Sequence, residues 1–186
     1  KRHMKTSTAV AMGPGLGLNK DTRDAVKEIM GAVEEEKMPL LLDADGLKAF
    51  AEFKRKMKMP MVLTPHAGEY QILTGKELPV DLKDRAAEVQ KTAGELGAVM
   101  LLKGHVDVIS NGELTKLNFT GNPGMTVGGT GDVLSGIVGA LLAQGADPFE
   151  AAAAGMFSLS VDLATVPVEK SWTVTVQAPS LEDLLA

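Results

Sequence analysis

The segment Gly121-Asn122-Pro123-Gly124-Met125-Thr126-Val127-Gly128-Gly129-Thr130-Gly131-Asp132-Val133-Leu134-Ser135-Gly136 packs six glycines and one carboxylate into sixteen residues. It then gives way to the apolar run Ile137-Val138-Gly139-Ala140-Leu141-Leu142. Successive glycines reach positive φ and turn several backbone N–H groups onto one point, where an anion fits. Val133, Leu134, Ile137, Val138, Leu141 and Leu142 recur at helical spacing, which predicts a helix from Asp132 to Gln144 with Gly131 or Asp132 at its N-terminus. The positive end of that helix faces whatever the glycines hold. Asp132 reads as a helix-terminus carboxylate or as a general base beside a bound phosphate. Ser or Thr would cap as well, and a carboxylate next to an anion nest is electrostatically costly, which gives the second reading weight.

Two common nucleotide motifs fail letter by letter. Gly124 and Gly129 have P-loop separation, but Thr130 stands where the Lys belongs. Gly13-Pro14-Gly15-Leu16-Gly17 lacks the final Gly or Ala of a dinucleotide fingerprint. Both are Gly-rich turns of another kind.

Upstream, strand and helix patterns alternate. Strands are expected at Thr8–Met12, Pro39–Asp43, Met61–Thr64 and Val99–Lys103, and helices at Asp21–Val33, Gly46–Phe53, Glu69–Leu73 and Lys83–Leu96. Val106–Ser110 and Leu114–Asn118 read as a hairpin across Asn111-Gly112-Glu113. A long helix over Pro148–Ala164, a short edge strand at Thr173–Val176 and a terminal helix at Leu181–Leu185 complete the pattern. This order implies an α/β fold with a mainly parallel sheet covered by helices on both faces. The turns at Gly13, Asp43, Thr64 and Lys103 each follow a strand, and in open α/β sheets such turns converge on one crevice.

With 186 residues and 45% hydrophobic content, the chain builds one substantial core, expected as a single domain. A net charge of −5 argues against nucleic-acid or membrane-surface binding as the main role. The absence of cysteine excludes disulfides, thiolate metal sites and thiol nucleophiles, and fits a cytoplasmic location. No apolar run approaches the ~18 residues of a membrane span. His3 and His105 have no partner at metal-ligand spacing, so no protein-only metal site is expected.

Five strings, taken in order, carry a family resemblance: Ala11-Met12-Gly13-Pro14-Gly15-Leu16-Gly17, Asp43-Ala44-Asp45-Gly46-Leu47, Leu63-Thr64-Pro65-His66-Ala67-Gly68-Glu69, Leu101-Leu102-Lys103-Gly104, and Gly121 to Gly136. Together they resemble the ADP- or ATP-dependent NAD(P)H-hydrate dehydratases of the ribokinase-like superfamily. The resemblance implies a three-layer ribokinase-like fold and repair of a damaged cofactor. The S-epimer of hydrated NADH or NADPH is phosphorylated on its hydroxyl at the expense of ADP or ATP, and phosphate is then eliminated. It further implies that Asp132 is the catalytic base and that Gly15, His66, Glu69 and Asp132 contact the substrate. Lys103, Gly104, His105, Val106, Asp107, Asn122, Gly129, Thr130 and Gly131 would bind the nucleotide. Mg²⁺ is expected with the phosphates, held mostly by phosphate oxygens and water. A homo-oligomer and a fused upstream epimerase domain are compatible with it.

The chain departs from the family pattern at Ala67, where Pro is common, and at Asp107, where many members have Thr. The family domain normally begins well before the Gly-Pro-Gly turn, so an N-terminally incomplete domain is expected. Bland readings stand beside the functional ones: His66 as a cap of the next turn, Glu69 as a first-turn carboxylate, and Asp45 as a helix N-cap with Asp43 the better functional candidate. The alternatives in function are a ribokinase-like kinase for a vitamin-precursor alcohol and a non-catalytic adenine-nucleotide-sensing module.

Overall fold

The computed structural model describes residues 6–121 and 128–165, with side chains up to residue 160. The expected strand at Thr173–Val176 and helix at Leu181–Leu185 lie outside the described residues. The elements run β1 (Val10–Met12), α1 (Lys20–Glu35), β2 (Leu40–Leu42), α2 (Ala44–Ala51), β3 (Met61–Leu63), α3 (Ala67–Thr74), α4 (Leu82–Leu96), β4 (Val99–Leu102), β5 (Asp107–Ser110), β6 (Thr115–Asn118), α5 (Thr130–Ala143) and α6 (Pro148–Thr165). The strands lie in sequence order, β1-β2-β3-β4-β5-β6. The first four are parallel, and β5 and β6 are added antiparallel as the expected hairpin.

Strand periodicity explains the layering. In β2, Leu40 and Leu42 point to one face and Leu41 to the other, and all three are buried. Leu40 and Leu42 join Met61, Leu63 and Met100 under Val26, Met30, Phe50, Tyr70 and Val89 from α1 to α4. On the opposite face, Leu41, Val62, Leu101 and Ile109 pack against Leu134, Val138 and Leu142 of α5 and Ala152, Met156 and Leu159 of α6. The result is the three-layer α/β architecture expected of the ribokinase-like fold.

Helix starts are set by side chains that satisfy the free N–H groups. Asn19 accepts from Thr22 N–H at the head of α1, and Asp81 from Lys83 and Asp84 N–H at the head of α4. At α5 the helix begins at Thr130, two residues before the sequence expectation. Its N-cap is Gly129, in the left-handed region at φ 94°, so the end of the glycine nest belongs to the helix itself. Asp45 is not an N-cap, contrary to expectation. Asp43 occupies the cap position of α2, and Asp45 sits inside the first turn.

The tightest backbone approach fixes the first turn to the second. Gly13 has φ 143°, and a Cβ placed on it would lie 1.7 Å from the Asp43 carbonyl oxygen. Replacing Gly13 with Ala is therefore expected to destabilise the fold by on the order of 3 kcal/mol or more in urea denaturation. Gly17→Ala, at φ 77° with open space around its Cβ, is expected to cost only about 1 kcal/mol.

Candidate active site

The carboxyl ends of β2, β3 and β4 and the N-terminus of α5 enclose a cavity of about 890 Å³. Its size and position suit a nucleotide-sized ligand. Asp43 follows β2 directly and is 2% exposed. Its backbone has the extended geometry of a cap, yet its carboxylate makes no capping hydrogen bond. It turns instead into the site, where Lys103 Nζ donates to Oδ1 and Ser135 Oγ donates to Oδ2, both at 2.8 Å. A lost cap costs about 1 kcal/mol, which a charge-assisted pair and a hydroxyl hydrogen bond at a buried carboxylate offset.

Lys103 is placed by backbone. Its N–H donates to the Pro65 carbonyl at 2.8 Å, and a parallel bridge joins it to His66, so the β3–β4 pairing runs one step beyond the strand ends. The side chain is 21% exposed, with Nζ 3.8 Å from Glu69 Oε2. Glu69, itself 5% exposed, closes a capping box on α3. Its Oε2 accepts from His66 N–H at 2.9 Å, while His66 Nδ1 accepts from Gly68 and Glu69 N–H at 3.0 and 3.2 Å. The capping reading of His66 is thus realised, and its side chain still lines the cavity.

Gly129, Thr130, Gly131 and Asp132 form the facing rim. A Cβ on Gly131 would lie 3.5 Å from Lys103 Nζ and 3.6 Å from Asp43 Oδ2, so the first turn of α5 rests on the Lys103–Asp43 pair. Asp132, in that turn, is exposed toward the cavity. Leu134, Met156 and Leu159 supply an apolar wall. Ala44 also lines the site with φ 45°, a sparsely populated conformation for a residue with a side chain.

Most of the residues singled out in the sequence converge here, with instructive exceptions. Gly15 does not line the cavity and is exposed. Its turn is closed by Leu16 N–H donating to the Gly13 carbonyl and held to α2 by Gly17 N–H donating to Asp45 Oδ2 at 3.0 Å. The same Asp45 pairs with Lys48, whose hydrogen bond holds its carboxyl below the usual range. Val106 also stays off the cavity wall, whereas Gly104 and His105 line it. Asn122 lies outside the described residues. Ser135, Ala44 and the apolar wall were not anticipated. Ser135 had a signal, since it falls three residues after Asp132 and so on the same side of the helix.

Asp107 is 1% exposed and serves the loop more than the cavity. Its Oδ1 accepts from Gly104 N–H and its Oδ2 from Asn118 Nδ2, both at 2.9 Å, which latches the turn after Lys103 to β6. Burial pushes its carboxyl above the ordinary 3.8, against the opposing hydrogen bonds from Asn118 and Gly104. With the folded pKa above the unfolded one, the folded state holds the extra proton just above pH 3.8. Stability from this group is therefore full at lower pH and falls as pH rises through the folded value. Urea denaturation of wild type and Asp107→Asn from about pH 4 to 7 should show the wild type losing stability relative to the variant as pH rises. A difference that grows in its favour contradicts burial as the dominant effect.

Known proteins resemble the chain in sequence and in fold. The chain is 50% identical over 148 residues to the bifunctional NAD(P)H-hydrate repair enzyme Nnr of Pyrobaculum aerophilum, which covers 80% of the chain and 29% of that protein. A ribokinase-like superfamily protein from Enterococcus faecalis superposes with a TM-score of 0.72 at 32% identity, over 84% of the chain and 56% of its own. The ADP/ATP-dependent NAD(P)H-hydrate dehydratase of Bacillus subtilis, crystallised with ATP and Mg²⁺, superposes with a TM-score of 0.69 at 34% identity, over 83% of the chain and 54% of its own. The chain thus spans between about a third and just over half the length of these relatives. The model of one family matches residues 1–186, the whole chain, and with these relatives it shows that the chain belongs to the NAD(P)H-hydrate dehydratase family.

Proposed function

We propose that this chain carries the dehydratase site of an NAD(P)H-hydrate repair enzyme, acting on the S-epimer of hydrated NADH or NADPH with ADP or ATP as phosphate donor. The observation that carries the proposal is the stacking of the α5 N-terminus, with Gly129 as its left-handed cap, on the Lys103–Asp43 pair at one end of the cavity. Backbone N–H groups of Gly129, Thr130 and Gly131, the helix dipole and the Lys103 ammonium all favour a phosphoryl group there. Asp132 lies in the same turn and is the base that takes the proton of the hydrate hydroxyl. The hydroxyl oxygen forms a bond to the terminal phosphorus, and the bond from that phosphorus to the nucleotide breaks. Loss of a proton and of the new phosphate then restores the ring double bond, with phosphate leaving where hydroxide could not.

Gly104 and His105 sit where the rest of the nucleotide would run, and Leu134, Met156 and Leu159 offer an apolar surface to its base. Asp107 supports this stretch through Gly104 and itself lines the cavity. Asn122 would complete the phosphate cradle. His66 and Glu69 meet the hydrated ring from the α3 side. Mg²⁺ would enter with the nucleotide and neutralise phosphate charge. Phosphate oxygens and water would supply most of its ligands, since among the described residues no group of three or more His, Cys, Asp and Glu is placed to hold an ion. The reading extends to a single domain that is part of a longer protein, with an epimerase domain upstream. Among the described residues no helix is long and apolar enough to cross a membrane, and a cytoplasmic site of action is part of the proposal.

Incubating the full-length protein with hydrated NADH and ADP or ATP tests the reading. Recovery of dihydronicotinamide absorbance with stoichiometric phosphate supports it, and a stable phosphorylated alcohol would assign a kinase instead. Asp132→Asn is expected to lower kcat by at least about a thousandfold while nucleotide affinity changes by less than about threefold. Retained turnover in that variant would remove Asp132 from the role of base.

A further inference from the structure

His66 uses its two ring nitrogens for different tasks. Nδ1 accepts two backbone N–H groups, from Gly68 at 3.0 Å and Glu69 at 3.2 Å. A nitrogen that accepts carries no proton, so the neutral ring bears its hydrogen on Nε2. The α3 cap thereby fixes the tautomer. The ring is 60% exposed along the cavity wall, which leaves Nε2–H available as a donor.

Beside it lies an acceptor. Glu69 Oε2 is occupied by His66 N–H and faces Lys103, but Oε1 has no hydrogen-bond donor among the described residues. It lies 3.5 Å from His66 Nε2, beyond the usual N–H···O hydrogen-bond distance. A carboxylate oxygen on a side chain this buried, lining a cavity and without a donor, calls for one from a ligand. The pair therefore offers one donor and one acceptor side by side on the α3 wall.

We infer that His66 Nε2–H and Glu69 Oε1 together read a primary carboxamide, the group on the dihydronicotinamide ring. The carboxamide oxygen accepts from Nε2–H and its NH₂ donates to Oε1, the complementary pattern on adjacent atoms. This rests on the function proposed above, which puts the hydroxyl to be phosphorylated at Asp132 on α5 and leaves another part of the ring for α3. His66 and Glu69 thus orient the ring and set specificity, and neither is needed as a base.

Equilibrium binding to the full-length protein tests this without relying on turnover. The probes are NADH and its 3-acetylpyridine analogue, which keeps the carbonyl and replaces NH₂ by methyl. Wild type is expected to bind the analogue at least about tenfold more weakly, because Oε1 is left unpaired. Equal affinities would overturn the inference. Glu69→Gln keeps the capping box but turns an NH₂ toward the ligand's NH₂, so NADH affinity should fall to that of the analogue. His66→Asn separates the two nitrogens, since Asn caps helices well but does not present the Nε2–H donor. Its melting temperature should stay at the wild-type value while the Kd for NADH rises about tenfold or more. An unchanged Kd in that variant, or an Nδ1-protonated ring in ¹⁵N NMR of wild type, would overturn the inference. A protein that shows this discrimination yet converts no hydrate would overturn the reaction proposed above and leave the carboxamide assignment standing.

Discussion

The Asp43 carboxylate is the joint on which the site depends. A charge this buried is costly unless each of its oxygens is paired, and the pairing draws partners from distant parts of the chain. Lys103 comes from the end of β4 and Ser135 from the second turn of α5. The requirement to satisfy one carboxylate therefore registers β2, β4 and α5 against each other. It does so across both layers of helices, because Asp43 is also the first residue before α2. The backbone of the same residue takes the Gly13 turn, with its N–H donating to the Met12 carbonyl and its carbonyl in closest approach to Gly13. One residue so fixes the relative position of four of the five strings that marked the family.

The sheet explains why the joint lies where it does. Its first four strands are parallel, so their carboxyl ends share one edge, and the helices that follow must turn away to either face. β5 and β6 add no further crossover, but they carry Asp107 and Asn118, which brace the turn after Lys103. The hairpin, unremarkable as a motif, is what keeps Gly104 and His105 against the cavity.

Layer order, strand direction and the convergence of turns were legible in the sequence, because hydrophobic period and turn chemistry are local properties. The strand expected at Pro39–Asp43 is there, with Leu40, Leu41 and Leu42 all buried, and Gly131-Asp132 announced a helix start to within two residues. The roles of the two aspartates after β2 were only half legible. Asp45 has the residue type and spacing of a cap, but the cap position fell to Asp43, whose side chain was then claimed by Lys103, 60 residues away. Long-range pairing of that kind leaves no local mark. Ser135 was half legible in the same way: its spacing from Asp132 puts it on the same side of α5, but nothing local marks the buried carboxylate it meets. Gly15 lies exposed in the turn its motif announced, and the same turn is held to Asp45 through Gly17 N–H.

Lys103 is the residue whose situation says most about how such a site balances its charges. Its ammonium has three donors. Asp43 takes one at 2.8 Å, and Glu69 at 3.8 Å is an electrostatic neighbour beyond hydrogen-bond reach. The other two make no hydrogen bond among the described residues. A lysine with no carboxylate beside it would be a flexible chain with much rotamer entropy to lose on meeting an anion. Paired with Asp43, it is already ordered and partly neutralised, so under the function proposed above a phosphate would meet an ammonium that is already in place. The pair weakens the raw attraction for an anion and gains direction in exchange, which is the trade expected where a phosphoryl group must be held in one orientation beside a base.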